Sequence, residues 1–199
     1  MAIILQDSFT DGDGVRLENH TPEIGVWQRR AIGDYAQIKS NALSNNYYLL
    51  SYYNAEMTEQ QDMTVQFKCI QKGIENLAFL LRMSLLEPLN AYGLLYAGTF
   101  ADPNIWKFIC YAAGSLIVLK EFTMTVLVND VVKFEVVGET LNCYLNGVLI
   151  DTIDDAAYLD GLAGFRYIAW HATVSQWDNA LIEVVSVAMA DHLPLMGVH

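Results

Sequence analysis

Val131–Asp154 reads VVKFEVVGETLNCYLNGVLIDTID and decides the fold. It holds two tight-turn signals: Gly138-Glu139, with glycine first as a type II′ hairpin prefers, and Asn146-Gly147, the type I′ signature. Folding at the first sets Val136 opposite Leu141, Phe134 opposite Cys143 and Val132 opposite Leu145, with Val137/Thr140, Glu135/Asn142 and Lys133/Tyr144 between them. Folding at the second sets Leu145 opposite Val148, Cys143 opposite Ile150 and Leu141 opposite Thr152. One face of this three-stranded meander is then apolar throughout. A slip of one residue would mix the faces, so pattern and turns specify the same register.

Outward from the meander the chain keeps the same habit. Met63–Gln71 (MTVQFKCIQ) alternates, with Met63, Val65, Phe67 and Cys69 on one side. Ala2–Leu5, Ala36–Lys39, Tyr47–Tyr53, Tyr92–Ala97, Trp106–Ala112, Leu116–Glu121, Ala163–His171 and Val174–Val187 read as further strands. Leu77–Leu86 is more continuously apolar and could form a helix, but its neighbours are strands and it reads as a buried strand. Short strands, regular turn signals and no amphipathic helix predict an all-β sandwich or jelly roll. The expected organisation is one domain over residues 1–187 with a tail, 188–199 (MADHLPLMGVH after Ala188), that docks on a neighbour or extends the last strand.

Composition narrows the function. The 199 residues are 53% hydrophobic and only 17% charged, against about 25% in ordinary globular domains. Some apolar surface is therefore expected to meet other subunits. Eleven Lys and Arg against 23 Asp and Glu give a net charge of −12, which repels phosphate backbones and argues against nucleic acid. No apolar run has the roughly 20 residues of a membrane span. Cys69, Cys110 and Cys143 lie far apart in apolar runs, which predicts buried thiols rather than disulfides or a zinc site. The N-terminus, MAIILQDSF, has no basic region, so no signal peptide is expected and the protein is read as made in a host cytoplasm.

Three stretches carry a family resemblance: Asp7–Gly14 (DSFTDGDG) followed by Trp27, the central VKFEVVGETLNCYLNGVLI, and Gly161–Tyr167 (GLAGFRY) followed by Trp177–Val185 (WDNALIEVV). Together they resemble the concanavalin A-like lectin/glucanase jelly roll, a sandwich of two antiparallel sheets, in the divergent form of phage structural proteins and carbohydrate-binding modules. Hydrolases of that fold carry a Glu-x-Asp-x-Glu pattern, because two carboxyls must flank the scissile bond. This chain has none, nor a Gly-x-Ser-x-Gly elbow or a His-x-x-x-His pair, and His20, His171, His192 and His199 are dispersed. The resemblance implies a structural calcium between first and last strands, with Asp7 and Asp178 as the candidate ligands. No other cofactor is implied.

For sugar binding, ring faces beside amides are the requirement. Trp106, Tyr144 and Trp170 are the candidate platforms, with Asn142 and Asn146 as polar partners. The expected function is a non-catalytic virion protein of a tailed bacteriophage, a capsid decoration (cement) or tail-surface protein that contacts the major capsid protein as a homo-oligomer such as a trimer. The alternatives are a carbohydrate-binding module for host surface polysaccharide and, after it, a glycoside hydrolase.

Overall fold

The computed structural model describes residues 1–29, 36–45, 50–73, 76–84, 89–98, 102–168 and 176–185. Trp170, His171, His192, His199, the start of the Tyr47–Tyr53 segment and the 188–199 tail lie outside the described residues. Among the described residues fifteen strands follow in order: β1 Ala2–Asp7, β2 Trp27–Arg29, β3 Ala36–Ile38, β4 Leu43–Asn45, β5 Leu50–Ala55, β6 Met63–Gln71, β7 Asn76–Met83, β8 Ala91–Tyr96, β9 Ile105–Ala112, β10 Ser115–Thr123, β11 Val131–Val137, β12 Thr140–Leu145, β13 Val148–Asp154, β14 Leu162–Ile168 and β15 Gln176–Val184. A short 3-10 turn, Leu17–Asn19, is the one helical piece among the described residues. The strands β2 and β4, three residues each, carry too little alternation to be read from sequence.

The strands form two antiparallel sheets. One runs β13-β12-β11-β6-β15-β4-β3, with β1 added against β15; the other runs β10-β9-β8-β7-β14-β5-β2. The fold is a jelly-roll sandwich, as the sequence predicts.

The first hairpin of the meander keeps its predicted register, from Val132 opposite Leu145 to Val137 opposite Thr140. Gly138 sits at φ 57°, and Asn146 and Gly147 at 51° and 79°, the left-handed values that the two turn types need. The second hairpin corrects the prediction. A bulge at Ile150 sets Cys143 opposite Asp151 and Leu141 opposite Ile153, where Ile150 and Thr152 were expected. One extra residue exchanges the faces of everything after it. Ile153 gains a place against the core, and Asp151 turns to the rim, where Lys120 Nζ meets it at 2.6 Å.

Between the sheets lies an aromatic core. Phe67 of β6 stacks on Phe79 of β7 at 5.1 Å between centroids, and Phe165 meets Phe67 edge-on at 5.9 Å. Trp106 and Trp177 join them. Each such side chain contributes on the order of 2–3 kcal/mol by leaving water. Cys69, Cys110 and Cys143 are buried free thiols, and burial pushes the Cys143 thiol up to about 12.

A second apolar cluster lies on the opposite face of β7, β8 and β9: Ala78, Leu80, Leu95, Ile109 and Tyr111, joined by Leu162 from β14. The neighbouring pairs Leu80↔Gly93 and Gly93↔Ile109 set its floor. Gly93 is required there, since a Cβ would stand 2.9 Å from Ile109 Cγ1. Burial on both faces is why β7 reads as continuously apolar.

Candidate functional site

The opening motif and Trp27 meet at one buried carboxylate. Asp7 ends β1 with no exposure; its Oδ1 accepts the Phe9 N–H at 2.8 Å and faces His20 Nε2 at 2.7 Å. Its Oδ2 accepts the Trp27 indole N–H at 2.6 Å. The other His20 nitrogen, Nδ1, lies 2.7 Å from Asp11 Oδ2. With a carboxylate at each ring nitrogen, a protonated ring can donate from both, an arrangement that favours the imidazolium form. Burial works to lower the His20 pKa, but the bonds to Asp11 and Asp7 outweigh it and the net shift is upward. Burial raises the Asp7 carboxyl, against the Phe9, Trp27 and His20 bonds.

Asp178 is on β15, two residues before Ala180, the register partner of Asp7, and Asp7 adds to the rise that burial gives its carboxyl. The two predicted calcium ligands therefore neighbour each other on adjoining strands. They do not fit a calcium ion: N–H donors already occupy both Asp7 oxygens, and the positive charge beside it is His20. Among the described residues no group of three or more His, Cys, Asp or Glu side chains is arranged to hold a metal.

The candidate sugar residues do not assemble into one surface. Trp106 is a correction: it is 1% exposed, packs on Tyr96 at 5.1 Å, and donates its indole N–H to Met124 O, so no ring face reaches solvent. Its place in the inward-facing row of β9, beside Phe108 and Cys110, explains this. Asn146 spends its amide on its own turn, accepting the Val131 N–H and donating to Asp130. Tyr144 and Asn142 share the outer face of β12. Tyr144 donates to Glu135 Oε1 at 2.7 Å, Lys133 Nζ stands 3.9 Å from the Tyr144 ring centre and 3.0 Å from Glu135 Oε2, and Asn142 reaches Glu135 at 3.4 Å. These groups satisfy one another.

An open cavity of about 570 Å³ lies instead where β7 ends, lined by Glu59, Arg82, Ser84, Asn90, Tyr158 and Asp160. Arg82 builds its floor. Its φ of 51° coincides with a register shift between β7 and β14, and its side chain is 1% exposed. The guanidinium donates to the carbonyls of Gln61, Tyr158 and Gly138, with Asp62 3.6 Å away, so it ties both sheets and two loops together. Tyr158 rests on Tyr92 at 5.1 Å and donates to Tyr111 O. Asn90 accepts the Ala113 N–H through Oδ1. The Asn90 amide N–H₂ and the carboxylates of Glu59 and Asp160 have no hydrogen-bond partner among the described residues. The cavity thus presents two acceptors, one donor and a tyrosine edge to solvent. Sequence reasoning missed all of these residues; the available signal was Arg82 itself, a lone cation inside the apolar run LAFLLRM.

No protein-family model matches the sequence, and no curated protein sequence matches it. Solved structures do resemble the fold. The carbohydrate-binding module CBM66 from Bacillus subtilis superposes with a TM-score of 0.64 at 18% identity, over 79% of this chain and 94% of that one. A Bacillus subtilis protein of unknown function with a galectin-like fold gives 0.65 at 12% identity, over 92% and 96%. The catalytic domain of an endo-1,3-beta-glucanase (laminarinase) from Thermotoga petrophila RKU-1 gives 0.57 at 13%, over 92% and 98%. The fold is the concanavalin A-like lectin/glucanase jelly roll, as the three sequence stretches imply. At these identities the likeness concerns architecture alone.

Proposed function

We propose that this protein is a lectin-like module that binds carbohydrate without cleaving it, and that the glycan enters the cavity above Arg82. The observation that carries the reading is that Glu59, Asn90 and Asp160 turn unengaged hydrogen-bonding groups into one open cavity. A sugar presents hydroxyls that donate and accept, so two carboxylate acceptors and an amide donor suit it, and the Tyr158 ring offers an apolar edge. The fold's likeness to a carbohydrate-binding module supports the same reading. It favours this role over the phage capsid-decoration or tail-surface role expected from composition, on which the likeness has no bearing.

A glycan array followed by calorimetry on the hits tests the proposal. A site of this size should bind an oligosaccharide end at about 0.1–1 mM, roughly 4–5.5 kcal/mol. Glu59→Gln combined with Asn90→Ala should weaken that at least tenfold, and Tyr144→Ala combined with Asn142→Ala should leave it unchanged. The opposite pattern moves the site to the β12 face. No binding by the wild type removes the reading, and release of reducing sugar on long incubation would make Glu59 and Asp160 hydrolytic carboxylates instead.

A further inference from the structure

The sandwich has one side where the core is left unfinished. β10 ends the seven-stranded sheet and β13 ends the other. The inward-facing row of β10 is Ile117, Lys120 and Phe122, opposite Cys110, Phe108 and Trp106, with the bulged Leu119 also packed on the core. That of β13 is Val148, Asp151 and Ile153. Mid-rim, Lys120 Nζ bridges the sheets, 2.6 Å from Asp151 Oδ1 and 3.2 Å from Thr152 O. Ile117 and Val148 face the same gap between the sheets, yet they are 47% and 64% exposed. Leu116, Val118, Leu149 and Ile150 extend the exposed surface around them. Inward-pointing aliphatic side chains left half in water mark a contact surface.

Tyr158, just past β13, bonds the carbonyl of Tyr111, whose strand partner is Leu116, so the end of β13 lies by the start of β10. The two rim strands therefore run in opposite directions. The aliphatic blocks Leu116–Val118 and Val148–Ile150 stand at opposite ends of the rim, with the Lys120–Asp151 pair between them.

We propose that this rim binds a second copy of the same chain. A two-fold axis lying in the rim along the line through both blocks lays each block on its own image, and it carries Lys120 of one copy toward Asp151 of the other, an isologous contact. Charge favours a like partner here. The rim strands and the residue paired to them hold Lys107, Lys120, Glu121, Asp151 and Asp154, a local net of −1, whereas the chain as a whole carries −12. The area suffices: nine residues at about 3.4 Å, on sheets about 10 Å apart plus side chains, make a rim of roughly 30 by 20 Å, or about 1,200 Å² over both copies.

Sedimentation equilibrium over a micromolar concentration series tests this. The wild type should form a dimer. Ile117→Lys combined with Val148→Lys should weaken it at least tenfold, because it sets like charges against their own images on the axis and removes the apolar contact there. Lys120→Asp alone should weaken it as well, by setting carboxylates against each other, and the exchange Lys120→Asp with Asp151→Lys should restore it. Urea unfolding of each variant confirms that its fold is intact. A monomer at every concentration, a trimer, or a dimer indifferent to these variants overturns the proposal.

Discussion

The outer faces of the two sheets differ as sharply as any two regions of the molecule. On β11 and β12 the outward row is Lys133, Glu135, Asn142 and Tyr144, polar groups that bond one another, with Glu135 buried beneath three partly exposed neighbours. On β7, β8 and β9 the outward row is Ala78, Leu80, Leu95, Ile109 and Tyr111, all buried. The first is an ordinary solvated face. The second is a core in its own right. A flat sugar platform on the seven-stranded sheet is therefore filled by its own side chains, and the open chemistry moves to the sheet's end, where Arg82 interrupts the apolar row.

The strongest way to break this comparison is Leu80→Ala. If the outward face of β7 is core, the variant loses about 2–5 kcal/mol in urea unfolding, the cost of a cavity in close-packed surroundings. A loss under about 1 kcal/mol, the value for an exposed aliphatic, would return that face to solvent.

Each sheet also holds a buried charged centre, besides the Glu135 of β11 already described, and these sharpen the comparison further. In the seven-stranded sheet it is Arg82. Arg82→Met keeps the stem and strands the carbonyls of Gln61, Tyr158 and Gly138, so a loss of about 2–4 kcal/mol is expected, again by urea. In the other sheet it is Asp7 with His20. His20 has a folded pKa raised above its ordinary value, so its stabilisation is complete below about pH 6.5 and fades as pH rises through the folded value. Asp7 is raised as well, so its own contribution is complete below its ordinary 3.8 and is lost as pH rises through its folded value, the same direction as for His20. The groups facing the ring are Asp7, Asp11 and Glu23. Wild-type stability should accordingly fall between neutral and alkaline pH, and His20→Gln should flatten the slope. A wild-type profile that is flat or rising there would show that the ring is neutral.

The same contrast explains what the sequence could reveal. Where one face is core and the other solvent, as in β6 and β11, alternation named the inward residues correctly: Met63, Val65, Phe67 and Cys69 are all buried. In β7 both faces are buried, so alternation vanished and only neighbouring strands argued for a strand. The second hairpin went wrong by one residue because a bulge leaves no mark in the pattern: Ile150 and Ile153 are equally plausible inward residues until Lys120 is seen waiting for Asp151. The candidate site was the least legible part. Trp106 looked like a platform because its residue type says nothing of its direction. Glu59, Asn90 and Asp160 come together across loops far apart in the chain, and only folding places them around one cavity. The DSFTDGDG motif and Trp27 were legible as a unit, but their joint role is a buried hydrogen-bonded carboxylate rather than a metal centre.

The smallest effect belongs to the polar face. Tyr144 packs under Lys133 and bonds Glu135; Tyr144 and Lys133 sit at the water boundary, and the buried Glu135 keeps other partners when the tyrosine is lost. Tyr144→Ala should cost less than about 1 kcal/mol in urea unfolding, since Glu135 keeps Lys133 3.0 Å away and Asn142 within reach. Tyr144→Phe isolates the hydroxyl and should cost less still. Were Tyr144→Ala to cost as much as Leu80→Ala, the two outer faces would be energetic equals, and the division between a solvated face and a second core would fail.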